Sequence, residues 1–398
     1  MTTPDREPLI ARMHGFGATI FGEMSALATR TGAVNLGQGF PDTDGPSAVL
    51  AAARDAIGDG RNQYPPARGI PELREAIAAH QQRFYDLTID PQEQVLVTVG
   101  ATEAIACAVL SLCEPGDEVV TFEPYYDSYA ATIALAGAVR RTSVLRFPDF
   151  ALDEESLRAA FSDKTRLVLL NTPHNPTGKV FTRAELELIA ELAREHDAIV
   201  VTDEVYEHLT FDGARHVPMA TLPGMFERTL TISSGGKTFS TTGWKIGWLT
   251  GPADLITACA TVKQFVTYAA GGPFQVGVAH GLGLPDDVFT GLADTMQHGR
   301  DILTRALHDA GLPVTSPQGT YFAIADVAAL GATDAVDFCW RMPELCGVVG
   351  VPVSVFCDDK DAARTLVRFA FCKKPEVLTE AAARLATLGA GQTAVRQP

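Results

Sequence analysis

The sequence predicts an α/β protein built on a mainly parallel sheet, and three observations carry that expectation. Past residue 95, short β-branched runs alternate with helical stretches, the pattern of crossover units in a parallel sheet. The stretch 183–196 is amphipathic and well charged, as a helix covering such a sheet should be. Each strand-like run also stops at residues able to do chemistry, and in open α/β sheets ligands gather at the carboxyl ends of strands.

Taken in order, the expected strands are 95–99, 118–122, 166–170, 199–202, 229–232 and 246–250, with helices at 102–112, 126–136 and 183–196. The strand ends carry Gly100-Ala101-Thr102, Glu123-Pro124-Tyr125, the loop 171–178, Asp203-Glu204-Val205-Tyr206 and Ser233 to Lys237. The 398 residues exceed one ordinary core. Residues 46–288 read as a large domain and 289–398 as a smaller α+β domain, with an amphipathic helix, the run Gly319 to Ile324, a strand at 365–371 and a last helix. Residues 1–45 are expected to pack beside the small domain, with Gly37-Gln38-Gly39-Phe40-Pro41 as an entry loop to the site.

Composition narrows the function classes. Hydrophobic residues at 46% and charged residues at 20% describe an ordinary globular chain. A net charge of -16, without basic blocks, argues against nucleic acid as a partner. Cys107, Cys113, Cys259, Cys339, Cys346, Cys357 and Cys372 form no CxxC pair, which fits a reducing cytoplasm rather than a disulfide framework. No export signal and no run of about eighteen apolar residues is read, so no membrane span is expected. The histidines show no close metal-ligand spacing, so no metal is expected, and His174, His208 and His216 are assigned to packing or hydrogen bonding. No GxSxG elbow supports a serine nucleophile.

The sharpest local signal is Ser233-Ser234-Gly235-Gly236-Lys237-Thr238-Phe239 followed by Thr242-Gly243-Trp244-Lys245-Ile246-Gly247-Trp248. A lysine just past a buried strand suits a Schiff-base amine whose pKa falls on desolvation; the alternative is a surface lysine in a turn. Ser234 and Lys245 lie close enough in sequence to share one anion with it, and a phosphate is the natural guest. The turn 99–104 offers free N–H groups and a helix dipole to the same phosphate, or is a simple helix start. Asp203 ends an apolar strand, where a carboxylate needs a cation: a protonated pyridine nitrogen, or a salt bridge. Asn175 and Tyr206 could bond the phenolic oxygen of such a ring, against a turn role for the first and core packing for the second. Tyr125 is a candidate stacking ring or a packed core tyrosine. Arg368, within Leu366-Val367-Arg368-Phe369-Ala370-Phe371, wants a planar partner, either a substrate carboxylate or an internal ion pair.

With these residues in hand, the chain resembles the class I/II aminotransferases of the fold-type I pyridoxal-phosphate superfamily along nearly its whole length. The carriers are 35–42, Asn62-Gln63-Tyr64, 123–127, 173–178, 203–206 and 237–248, all in family order. Within that family the nearest likeness is to kynurenine/glutamine/methionine-type and actinobacterial N-succinyldiaminopimelate aminotransferases. The resemblance implies a seven-stranded, mainly parallel sheet in the large domain, pyridoxal 5'-phosphate as cofactor, and a homodimer with shared active sites. It implies that Lys237 carries the cofactor and serves as base for the proton shift, that Asp203 pairs with the pyridine nitrogen, and that Asn175 and Tyr206 bond the phenolate. Tyr125 would stack on the ring; Ala101, Thr102, Ser234 and Lys245 would hold the phosphate, with Tyr64 reaching in from the other subunit. Arg368, Asn175 and the backbone of Gly39 would clamp the substrate carboxylate, and Phe21 would wall the substrate pocket. The implied reaction moves an amino group from an amino acid, N-succinyl-LL-2,6-diaminopimelate among the candidates, to a 2-oxo acid such as 2-oxoglutarate. The alternatives are a kynurenine/glutamine/methionine-type transaminase or a cysteine-conjugate β-lyase. Two departures bear on substrate: Lys245 stands where many relatives have arginine, and Ala101 replaces a larger residue of some kynurenine-type members.

Overall fold

The computed structural model describes residues 8–17 and 19–395; residues 1–7 and 18 of the expected N-terminal segment, and 396–398, lie outside the described residues. Its strands run β1 (Val34–Asn35), β2 (Val95–Val99), β3 (Glu118–Glu123), β4 (Val139–Val144), β5 (Thr165–Asn171), β6 (Ile199–Asp203), β7 (Thr229–Ser234), β8 (Ile246–Thr250), β9 (Phe322–Asp326), β10 (Val348–Val349), β11 (Val351–Pro352) and β12 (Leu366–Ala370). Seven of them form one sheet in the order β2-β8-β7-β6-β5-β3-β4. Only β8 runs antiparallel to its neighbours, so six strands point the same way.

The sheet is sandwiched between helices, which is why its central strands read as near-continuous apolar runs. Alternate residues feed opposite faces: Val120, Phe122, Val168, Leu170 and Val200 enter one core cluster, while Val119, Leu167, Leu169, Val201 and Ile232 enter another. The second cluster is covered by the helices Gly100–Leu112 and Ala253–Val266. The first is closed by Arg183–Glu195, whose Thr182 and Glu185 form a reciprocal capping box that fixes its start. Val95, Val97, Ile246 and Trp248 pack at the other sheet edge under Pro71–Tyr85 and Gly272–Leu282.

Strand β4 has no counterpart in the sequence expectation. It reads Val-Arg-Arg-Thr-Ser-Val, alternates exposed and covered positions, and lies at the sheet edge. Charged residues blunt such an edge and erase the apolar signature of a strand. Conversely, β6 and β7 run past the expected ends at 202 and 232 to include Asp203, Ser233 and Ser234. Pairing of Asn171 with Asp203 and of Ser234 with Gly247 holds these polar residues in the ladder against their local preference.

Beyond the sheet, the helix Asp286–Asp309 leads to a three-stranded antiparallel sheet in the order β11-β12-β9, followed by the helix Pro375–Val395. Strand β1 pairs in parallel with β10, so the N-terminal segment is tied to the C-terminal part. Residues 37–41 leave β1 as a loop.

Candidate active site

Because six strands share one direction, Val99, Glu123, Asn171, Asp203 and Ser234 all end on one side of the sheet. The reversed β8 begins there, with Ile246 opposite Val99, which brings Lys245 to the same place. A cavity of about 300 Å³ opens on that side. Phe21, Gly39, Ala101, Thr102, Asn175, Asp203, Tyr206, Ser234, Lys237, Lys245 and Arg368 all line it.

One end of the cavity is built to hold an anion. The helix Gly100–Leu112 starts at Gly100 with no side-chain cap, so its first N–H groups are left for a ligand. Gly247 allows this approach, since a Cβ there would lie 2.5 Å from the Gly100 carbonyl carbon. Lys245 adopts left-handed backbone, φ 55°, and its side chain passes over Gly100. Ser234 precedes the short helix Gly235–Thr238 that carries Lys237.

At the other end, Asp203 is buried and accepts hydrogen bonds from the Tyr129 hydroxyl at 2.6 Å and, weakly, from the Val205 N–H at 3.4 Å. Burial pushes its carboxyl up to about 6. Among the described residues it makes no ion pair, so the salt-bridge reading falls and a cationic guest is left to balance it. Asn171 braces the neighbourhood: its side-chain amide donates to the Asp203 carbonyl at 2.7 Å and its oxygen accepts the Asn175 N–H at 2.7 Å.

Lys237 lies between the two ends. Its amine donates to the Tyr321 hydroxyl at 2.7 Å, and desolvation pushes its pKa down to about 8. Tyr206 packs edge-on to Tyr321, with ring centres 5.2 Å apart.

Arg368, in the middle of β12, is 2% exposed and forms no ion pair among the described residues, which removes the internal-pair alternative. It donates to the Gly37 carbonyl at 2.9 Å and the Asn175 Oδ1 at 3.3 Å, and its Nε has no partner. Burial pushes the guanidinium pKa down to about 10. The rings of Phe322, Phe21 and Phe356 surround it at 4.1, 5.0 and 5.1 Å. A buried cation that lines a cavity and keeps an unused donor is set for a carboxylate.

Two expected site residues lie elsewhere. Tyr125 turns away from the cavity: its N–H bonds the Phe356 carbonyl, its hydroxyl donates to Asp358 at 2.8 Å, and the Arg140 guanidinium covers its ring. The next residue, Tyr126, lines the cavity instead. Sequence alone could not choose between two consecutive tyrosines, because the choice depends on a backbone bond to a segment more than two hundred residues away. Tyr64, expected to serve the site of the other subunit, is 85% exposed and lies beside Tyr268 in a surface recess outside this cavity. Tyr129, Asn171 and Tyr321 were missed as site residues; Tyr321 sits in the Gly319 to Ile324 run, but its reach to Lys237 had no local signal.

The comparisons decide the family. Residues 31–385 match the family described as aminotransferase class I and II. The chain belongs to that family. The solved N-succinyldiaminopimelate aminotransferase from Mycobacterium tuberculosis is 51% identical and superposes with a TM-score of 0.93, covering 96% of this chain and all of that one. Methionine aminotransferase of Escherichia coli (strain K12) is 39% identical over 383 residues, 96% of this chain and 99% of its own. Kynurenine--oxoglutarate transaminase 3 of Mus musculus is 40% identical over 400 residues, 93% of this chain and 88% of its own. The protein is a fold-type I, pyridoxal-phosphate-dependent aminotransferase.

The residues of this aminotransferase fit that cofactor. An uncapped helix start with Ser234 and Lys245 matches the phosphate, and the buried Asp203, which makes no ion pair among the described residues, matches a protonated ring nitrogen. Lys237 supplies an amine between them. Elsewhere, His80, Glu207 and His208 bring three potential metal ligands together, but the imidazole Nε2 atoms bond each other at 2.7 Å and Glu207 accepts from Tyr85 and Ser233, which leaves His80 Nδ1 without a partner. No helix among the described residues is long and apolar enough to cross a membrane.

Proposed function

We propose that this aminotransferase takes its amino group from N-succinyl-LL-2,6-diaminopimelate and delivers it to a 2-oxo acid such as 2-oxoglutarate. The observation that carries the donor assignment is the 51% identity, end to end, to the Mycobacterium tuberculosis enzyme of that name. Bound pyridoxal phosphate supplies an electron sink for the charge left when the substrate loses its Cα proton.

The chain's own residues do the rest. Ala101 and Thr102 backbone, Ser234 and Lys245 would hold the phosphate; Asn175 and Tyr206 would bond the phenolic oxygen; Tyr126, which lines the cavity where Tyr125 does not, would cover the ring. Asp203 would keep the ring nitrogen protonated, since a carboxyl raised only to about 6 is still ionised at neutral pH. Lys237 would anchor the cofactor and take the Cα proton of the substrate; an amine titrating at about 8 is well matched to that task. Arg368 and Asn175, with the Gly39 backbone, clamp the α-carboxylate, and Phe21 walls the side-chain pocket. Tyr64 completes the phosphate site of the partner subunit in a cytoplasmic homodimer. Residues 46–288 act as the cofactor domain, and 1–45 with 289–398 as the part that carries Arg368, a division supported by the β1–β10 pairing.

A second reading has its own support. Phe21, Phe40 and Phe322 line the cavity, and among the described residues its only cations are Lys237, Lys245 and Arg368, so a distal carboxylate meets no further cation there. That lining favours apolar or aromatic donors of the methionine or kynurenine type. Visible spectra of the purified enzyme, recorded as single amino acids are added, separate the readings: the donor that converts the bound cofactor to its amino form at the lowest concentration is the physiological class. Failure of N-succinyldiaminopimelate to convert it, while methionine or kynurenine does, sinks the first assignment. Release of pyruvate and ammonia from cysteine conjugates without a 2-oxo acid identifies β-lyase chemistry.

A further inference from the structure

We infer that Tyr321 positions the Lys237 amine and, through the same hydroxyl, ties it to the entry loop 37–41. The inference rests on Lys237 as the reactive amine and is independent of which donor is used.

The hydroxyl of Tyr321 has one proton to share among the Gly39 carbonyl, the Lys237 amine and the Tyr206 hydroxyl, of which the hydroxyl can donate in its turn. The Tyr321 oxygen lies 2.7 Å from the Gly39 carbonyl and 2.7 Å from the Lys237 Nζ. A carbonyl can only accept, so the phenolic proton goes to Gly39, and toward Lys237 the oxygen is an acceptor. That direction is decisive for a base. An amine that donates to an acceptor keeps its lone pair, whereas a hydroxyl donating to the amine would occupy that pair and block proton uptake. Burial also pushes the Tyr321 phenol well above its usual range, so it does not ionise in competition with the lysine.

Both ends of the bridge are rigid. Tyr321 is 1% exposed and is held edge-on by Tyr206 and Phe322, with ring centres at 5.2 and 4.8 Å. Gly39 is pressed against Phe322 so closely that a Cβ would sit 2.5 Å from the ring, so the loop carbonyl has little freedom to leave the phenol. The seated entry loop therefore holds the phenolic proton on Gly39 and leaves the lone pair of the amine free. The other charged or titratable groups that face it are Asp203 at the end of β6, Cys372 after β12, Lys245 before β8, Arg368 on β12 and Tyr206; among the described residues Tyr321 alone bonds Nζ.

The experiment is a titration of the apoprotein labelled with ε-¹³C lysine. The chain has eight lysines, and the Lys237→Ala variant assigns the Lys237 signal. An acceptor stabilises the ammonium form more than the neutral amine, so Tyr321→Phe should lower the Lys237 midpoint by about one pKa unit. An unchanged midpoint in a variant with wild-type melting overturns the inference. Should Tyr321→Phe fold poorly, 3-fluorotyrosine at position 321 keeps the ring and hydroxyl but weakens the acceptor. A smaller fall in midpoint then supports the bridge, and no fall overturns it. Treating each protein with pyridoxal phosphate and borohydride, then mapping the label by peptide mass, tests the underlying assignment separately: a label missing from Lys237 removes that assignment whatever the titration shows.

Discussion

Replacing Asp203 by asparagine should make the apoprotein more stable while crippling it as an enzyme. The Asp203 carboxyl is buried and titrates at about 6 instead of its ordinary 3.8. A group whose folded pKa is raised supports the fold fully below its unfolded pKa and loses that support as pH climbs through the folded value. Burying the carboxyl therefore costs about 1.5 kcal/mol at pH 5, where the fold keeps it protonated, and about 3 kcal/mol at pH 8, where it is ionised, two pKa units at about 1.4 kcal/mol each. Asparagine removes this charge and can still accept from the Tyr129 hydroxyl, although its new N–H₂ group finds no evident acceptor and takes back about 1 kcal/mol. The variant's advantage over wild type should thus grow by about 1.5 kcal/mol from pH 5 to pH 8, a widening of about 2 °C in melting temperature for a chain of this length. Melting of cofactor-free wild type and Asp203→Asn across that pH range measures it. A gap that stays flat or narrows with rising pH would refute the claim that Asp203 is an unbalanced buried charge. With cofactor bound the order should reverse, because the pyridinium partner then compensates the carboxylate.

Three further outcomes follow from the geometry. Arg368→Ala should lower kcat/KM for every amino acid by about 100-fold or more, the scale for removing one side of a buried charge pair, while apoprotein melting changes far less than that loss suggests because the guanidinium has no ion-pair partner to strand; unchanged steady-state constants remove it from the carboxylate site. Tyr126→Ala should weaken cofactor binding by about fivefold through lost ring contact, and Tyr125→Phe should leave it within about twofold, as fluorescence titration of the apoprotein can show; the opposite ranking restores Tyr125 as the stacking ring. Tyr64→Ala should bind cofactor weakly, yet mixing it with inactive Lys237→Ala should recover about one quarter of wild-type activity, since each mixed dimer contains one intact site. No recovery after subunit exchange means that Tyr64 does not cross the interface.

Much of this protein was legible in its residues because strand periodicity and site chemistry are local. Apolar runs ending in Asp203, Asn171 and the Ser233 to Lys237 segment gave the parallel sheet, the side on which a ligand sits, and the phosphate and amine positions. The same locality explains the failures. Strand β4 was invisible because an edge strand faces water and takes arginines in place of apolar alternation. The choice of Tyr126 over Tyr125 was decided by contacts of Tyr125 with Phe356 and Asp358. The acceptor on Lys237 is Tyr321, 84 residues away along the chain, and the carbonyl that orients that acceptor is 282 residues from it. Sequence by itself determined which groups were present and which strands would carry them, since these follow from composition and period. Only the tertiary structure decided which way each hydrogen bond points and which buried charges lack partners, since those depend on segments brought together across the whole chain.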